Sequence, residues 1–203
     1  MLLTMTTDIR SNKLIKDLKS IPSPEFYIFA AVALFCGLFV FGVTARGIIE
    51  SIFLILLVAC ASSDIKDGIV PDLIHIAIVI LSVVNICVNE MLTPANIASH
   101  LIGIFIVSIP MLIVALIVKG AFGGGDIKLM ASAGFYLGAK AVVAGFFLGM
   151  FTAGLYVIIL LVLRRKSLKS PVKLAPFLVY GLAIISLYIE QIINRLSIVA
   201  QMC

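Results

Sequence analysis

Two of the ten acidic residues stand where a carboxylate costs most and can do most. Asp64 directly follows the apolar run Ile52 to Ala61, within Ser62-Ser63-Asp64-Ile65-Lys66-Asp67-Gly68-Ile69-Val70-Pro71-Asp72. Asp126 closes the run Gly123-Gly124-Gly125-Asp126 and is followed by Ile127-Lys128-Leu129-Met130. Each sits at the expected boundary between an apolar helix and water, and ionisable groups kept near membrane depth are functional candidates. Two carboxyls a few ångströms apart cannot both ionise easily, so they share a proton. One then activates water as general base while the other protonates the carbonyl oxygen or the leaving amine. Desolvation at the membrane edge should raise the upper apparent pKa of such a pair. The three glycines remove side chains from the approach to Asp126 and permit extended or left-handed backbone, so an extended substrate chain could lie against it.

Each aspartate also has a structural reading, as a helix cap for Asp126 and a loop residue for Asp64; their joint placement beside a triple glycine favours chemistry. Asp67 and Asp72 are expected in turn and cap roles, since Asp67-Gly68 is a turn dipeptide and Asp72 follows Pro71 at a helix start. Asp8, Asp17, Glu25, Glu50, Glu90 and Glu190 fall in the tail, in short loops or near segment ends, where water should solvate them cheaply. Lys128 either orients a substrate or phospholipid or snorkels to the interface. His75 and His100 lack metal-ligand spacing and read as polar packing residues, so no metal or other cofactor is expected. Serine and cysteine nucleophile schemes lack a partner base at the same depth.

The elements that must hold these residues are membrane helices. Of 203 residues, 63% are hydrophobic and 12% charged, with a mean hydropathy of +1.26. A soluble domain of this length could not bury so much apolar side chain. Apolar stretches are expected at 25–45, 48–63, 71–89, 97–119, a shorter 127–139, 140–163 and 174–194. They are helical because backbone polar groups in hydrocarbon must be paired within the segment, and continuous apolar runs exclude the alternation of a barrel. The fold class is therefore an all-α polytopic membrane protein of six to seven spans. Residues 1–24 form a tail and 25–203 a membrane domain. Arg10, Lys13, Lys16 and Lys19 make the tail either a solvated topology signal or a short amphipathic surface helix. Pro110 should bend the fourth segment, and Pro176 sits in the first turn of the last. Gly134, Gly138, Gly145, Gly149 and Gly154 are placed for close helix packing.

Net charge is +5, but the cations are short clusters flanking apolar segments, which encodes topology and leaves no nucleic-acid face. Twelve of the fifteen Lys and Arg residues fall on one side of the segment map, the tail, Lys66, Lys119, Lys128 and the stretch from Arg164 to Lys173 among them. Only Arg46, Lys140 and Arg195 fall on the other. The positive-inside rule makes the first side cytoplasmic, with the N-terminus inside, the C-terminus outside, and Asp64 and Asp126 on the same inner face at similar depth. Cys36, Cys60, Cys87 and Cys203 have no C-x-x-C spacing and read as small hydrophobes rather than a disulfide or zinc framework.

These residues carry a resemblance. Asp64 with Pro71 seven residues later resembles the first aspartate motif of prepilin peptidases. Gly123-Gly124-Gly125-Asp126-Ile127-Lys128-Leu129 is similar to their G-x-G-D motif with its trailing lysine. Lys173-Leu174-Ala175-Pro176-Phe177-Leu178, with Gly181 beyond, is similar to the A-P-F stretch that opens their last helix. The resemblance implies an aspartic endopeptidase of the inner, cytoplasmic membrane. Asp64 and Asp126 would be catalytic, Gly123, Gly124 and Gly125 would shape the site, and Lys128 would lie beside it. The implied substrates are type IV prepilin-like or archaellin-like precursors, whose basic leader is cut on the cytoplasmic side just before an apolar helix, and no cofactor is implied. Larger members carry a cytoplasmic insert with paired cysteines and also methylate the new N-terminus; nothing here matches that insert, so N-methyltransferase activity is not expected. The same G-x-G-D element also allows a presenilin-like intramembrane protease. From a different class, the two aspartates allow a small transporter or assembly factor that handles protons or a cation.

Overall fold

The computed structural model describes residues 24–89, 93–118, 120–163 and 173–202, with the side chains of residues 26–188 among them. The expectations for the tail before residue 24, for Lys119 and for the basic stretch 164–172 lie outside the described residues.

All regular structure among the described residues is helical, in eight helices: α1 (Pro24–Phe41), α2 (Ala45–Asp67), α3 (Asp72–Val88), α4 (Pro94–Ile106), α5 (Ser108–Ile117), α6 (Gly124–Leu137), α7 (Ala139–Val162) and α8 (Ala175–Met202). Among the described residues, three stretches are long and apolar enough to cross a membrane: α2, the span Pro94–Ile117 taken across its break, and α7. Helix α1, α3 and α8 add shorter apolar stretches. Each helix falls on one expected segment except the fourth. That segment divides at Val107, where Pro110 is the cause: it has no N–H to offer the Ile106 carbonyl, and its ring crowds that same oxygen one turn upstream.

Local chemistry sets the boundaries that matter to the site. Thr44 caps α2, its Oγ1 accepting from the Gly47 N–H at 3.1 Å. At the other end Gly68 takes a left-handed conformation, φ 67°, and donates its N–H to the Asp64 carbonyl at 3.0 Å. The chain thus turns sharply one turn after Asp64, and Pro71 admits it to α3. Helix α6 has 14 residues, a rise of about 21 Å, which falls short of the roughly 30 Å hydrocarbon core. It ends at Gly138, whose φ of 81° lets α7 begin at once.

Helix α2 packs against α1, α3 and α8, while α6 packs against α3, α4, α5, α7 and α8. Between them lies the core, in which Phe53, Leu57, Cys60, Leu129 and Met130 are fully enclosed. Phe53 of α2 stacks on Tyr136 of α6 with ring centroids 3.9 Å apart. Small residues bring other backbones together. A methyl on Gly103 of α4 would fall on the carbonyl oxygen of Gly134 of α6, and the reverse also holds. Gly145 and Gly149 of α7 meet Leu182 and Leu178 of α8 in the same manner. Gly154 is different, because a methyl there would touch nothing, so its expected packing role is not found. The outward faces present large apolar groups such as Leu116, Ile117, Phe147 and Phe151, as a lipid-solvated surface should.

Candidate active site

The last turn of α2 and the first turn of α6 meet at one cavity of about 380 Å³. Asp64, Asp126, Gly123, Gly124, Gly125 and Lys128 all line it, together with Asp72 and the turn from Gly68 to Pro71. The six sequence-derived candidates are therefore brought together, although 62 positions separate the two aspartates in the chain.

Asp126 is buried, 9% exposed, in the first turn of α6. Its Oδ2 accepts from the Gly123 N–H at 3.3 Å, so part of the capping role read from sequence is present alongside the cavity-facing one. Burial, and then the neighbouring negative charge of Asp64, push its pKa up to about 6. Asp64 faces the Lys173 ammonium and the backbone amide of Ala175, which open α8. Its Oδ2 is enclosed and accepts no hydrogen bond from the protein, as is also true of the adjacent Ser63 hydroxyl. A buried carboxylate oxygen without a partner costs on the order of 1–3 kcal/mol, and such groups gather where function requires them.

The glycines meet the expectation in part. None of Gly123, Gly124 or Gly125 has a positive φ; Gly123 is extended and the other two already belong to α6. Their contribution is a bare wall. A methyl on Gly124 would meet no atom, and one on Gly125 would reach Val70 at 3.4 Å. An extended backbone therefore has room to approach at Gly124, between the Asp126 carboxyl beside Gly123 and the Val70 side chain beside Gly125.

Lys128 donates to Asp72 Oδ1 at 2.6 Å, which joins the start of α3 to the start of α6 across the cavity rim. Both side chains are more than half exposed, so the pair orients the rim more than it stabilises the fold. Asp72 was expected only as a cap, and sequence spacing gave no sign of a partner 56 positions away. His75 is buried with neither ring nitrogen hydrogen-bonded to protein, and His100 donates from Nδ1 to the Phe135 carbonyl at 2.8 Å. No group of three or more potential metal-ligating side chains occurs among the described residues.

A second polar cavity, about 650 Å³, lies at the other end of the short α6. Its lining includes Arg46, Glu50, His100, Tyr136, Lys140 and Ser186. Glu50 corrects the sequence reading, which placed it in cheap solvent. It is 8% exposed and accepts hydrogen bonds from Tyr136 Oη at 2.8 Å and from Ser186 Oγ, with Arg46 nearby. The described cations of the two sequence classes are thus segregated, Lys128 and Lys173 by the aspartates and Arg46 and Lys140 at the far cavity.

Comparison with known proteins bears on what this arrangement is. The type IV leader peptidase family matches residues 51–158, a stretch that contains Asp64, Pro71, Gly123, Asp126 and Lys128. The chain belongs to that family. It is also 28% identical over 155 residues to a Bacillus subtilis (strain 168) protein named prepilin leader peptidase/N-methyltransferase. The match takes in 76% of this chain and 61% of the relative, so the chain spans about three fifths of the length of the curated protein it resembles. No solved structure matches. The family stretch ends before Lys173, yet the Lys173 charge and the Ala175 backbone amide act on Asp64, so the start of the A-P-F segment lies beside that carboxylate.

Proposed function

We propose that this chain is an aspartic endopeptidase that removes the basic leader of membrane-anchored, prepilin-like precursors at the cytoplasmic face of the membrane, with Asp64 and Asp126 as the catalytic pair. The observation that carries this reading is the shared cavity: two carboxyls, one of them pushed up to about 6, open onto a wall of backbone without side chains. At mildly acidic pH the pair holds one proton between its two members. The ionised carboxylate takes a proton from water as the oxygen attacks the scissile carbonyl carbon. The protonated partner gives its proton to the carbonyl oxygen, so the tetrahedral intermediate forms without net charge transfer to the lipid. Collapse returns that proton to the pair and delivers the one taken from water to the departing amine, leaving a carboxylic acid on the leader, an amine on the mature chain and one proton on the pair. The Gly123–Gly125 edge accepts the extended leader, and Lys128 and Asp72 border its path. The reading extends to proteolysis and not to methyl transfer, since the four cysteines lack the paired spacing that the resemblance associates with the methylating members.

The test is the purified chain in detergent with a synthetic precursor, a basic leader followed by an apolar helix, and products read by mass spectrometry. A single cut at the polar-to-apolar border supports the reading. Undiminished cleavage by both Asp64→Asn and Asp126→Asn overturns it, and a cut well inside the apolar helix would favour the presenilin-like alternative.

A further inference from the structure

A third cavity belongs to neither carboxylate system. Helices α1 and α8 both pack on α2, and between them a groove of about 700 Å³ is left over the α2 surface. Leu54, Leu57, Val58 and Ala61 form its floor, with Val32 of α1 and Val179 of α8 among its sides. Polar groups enter its lining at Ser62 and Lys66, at the end nearest Asp64, and at Tyr180 on the α8 side. On α2 the floor continues through Ser62, Ile65 and Lys66, so it follows the helix into the turn that carries Asp64, whose carboxyl lines the neighbouring cavity. The opening of α8 links the two places as well: the Ala175 amide faces Asp64, and the next residue, Pro176, lines the groove.

The geometry points to this groove as the docking site for the apolar helix of the substrate itself, the segment that continues from the scissile bond into the membrane. This inference rests on the peptidase reading and names how that site selects its partner. Three observations fix the occupant. From Leu54 to Ile65 the lined stretch of α2 rises about 17 Å, the length of eleven or twelve helical residues and over half the hydrocarbon thickness. A peptide at this depth must pair its own backbone groups, so it enters as a helix and presents one apolar face to the floor. The polar end of the lining lies by the aspartates, which matches a partner whose chain turns from apolar to polar where it is cut. A soluble peptide would gain nothing from such a groove. Specificity for membrane-anchored precursors then comes from binding energy away from the reacting bond.

Two native cysteines make the inference testable. Cys36 of α1 lines the groove, whereas Cys87 is exposed on α3, which does not border it. Cys36 lies twelve residues, a rise of about 18 Å, along α1 from its first residue, Pro24. A synthetic precursor with a basic leader, an apolar helix and one cysteine about twelve residues beyond the cut should therefore form a disulfide with Cys36 and not with Cys87. The full chain carrying Asp126→Asn prevents turnover during oxidation, and peptide mapping identifies the adduct. In parallel, Ala183→Phe should fill the groove from the α8 side. We expect KM for the full precursor to rise about tenfold or more, with cleavage of a short leader peptide lacking the helix unchanged, which also reports that the variant is folded. Cleavage of the precursor by the unaltered chain together with an adduct at Cys87 only, or no adduct, overturns the groove assignment. So does equal handling of both substrates by Ala183→Phe, the result expected if lipid alone occupies the groove. An adduct at Cys36 with no cleavage by the unaltered chain would instead remove the peptidase reading and leave the docking site standing.

Discussion

The molecule holds two kinds of buried carboxylate, and they are finished differently. Glu50 accepts hydrogen bonds from Tyr136 of α6 and Ser186 of α8, one on each oxygen, and feels the Arg46 charge from its own helix, so its carboxylate is engaged in joining the bundle. Asp64 keeps an enclosed oxygen without a protein donor, and Asp126 has one weak backbone contact while opening on the same cavity. A saturated carboxylate acts as a tie. An unsaturated pair holds back the capacity to bind a proton, a water molecule or a carbonyl. The comparison teaches that depth alone does not mark a catalytic acid in a membrane helix; what matters is how many of its lone pairs the fold has already used.

Breaking each end should therefore have opposite consequences. The largest expected effect is on activity: Asp64→Asn or Asp126→Asn should lower cleavage by about a thousandfold or more, with the thermal midpoint in detergent unchanged or raised, measured by product formation and by melting of the same preparations. Next comes Glu50→Ala, which strands the Tyr136 and Ser186 hydroxyls and should cost about 1–3 kcal/mol of stability while the folded fraction cleaves normally. A thermal midpoint insensitive to Glu50→Ala would erase the distinction drawn above.

Titration sharpens the same contrast. The Asp126 pKa is raised from 3.8 to about 6, so between those values the folded chain binds more protons than the unfolded one. The contribution of this group to stability therefore falls as pH rises through about 6, and it is this pH-dependent component that Asp126→Asn should remove. Cleavage should follow the shared proton, declining above about 6 and again at low pH when both carboxyls are protonated; a rate that climbs steadily to pH 8 would contradict a one-proton pair. The smallest effect belongs to Lys128→Ala. It removes an exposed ion pair and should shift stability by about 0.5 kcal/mol or less, with a modest rise in KM for precursors that pass the rim.

Much of this was legible from residue order. The helical segments followed from runs of apolar residues, and the common placement of Asp64 and Asp126 followed from counting cations, because bilayer thickness and charge asymmetry act on short stretches of chain. Gly68 as the stop of α2 and Pro110 as a disruption of the fourth segment were readable for the same local reason. What could not be read were pairings over long sequence separations. The Lys128 contact with Asp72, the arrival of Ala175 and Lys173 at Asp64, and the enclosure of Glu50 depend on which helices become neighbours. Glu50 was misjudged because it lies near a helix start, where water is normally close. Here α6 ends beneath the surface and folds Tyr136 over it. Of the extended or left-handed backbone that the glycine run permits, Gly123 takes the extended form, since lack of a Cβ permits unusual backbone without requiring it.

The contact of Gly103 with Gly134 reaches further than packing. Gly134 lies eight residues beyond Asp126 on α6, about 12 Å along its axis, and it is pinned where no methyl can be inserted. Helix α6 is accordingly clamped like a shaft in a collar, unable to slip lengthwise without forcing α4 aside. The position of Asp126 along its helix axis rests on that remote contact, and on the proposed reading an alanine at either glycine should lower or shift cleavage, read by mass spectrometry of the products, without touching an atom of the aspartate cavity.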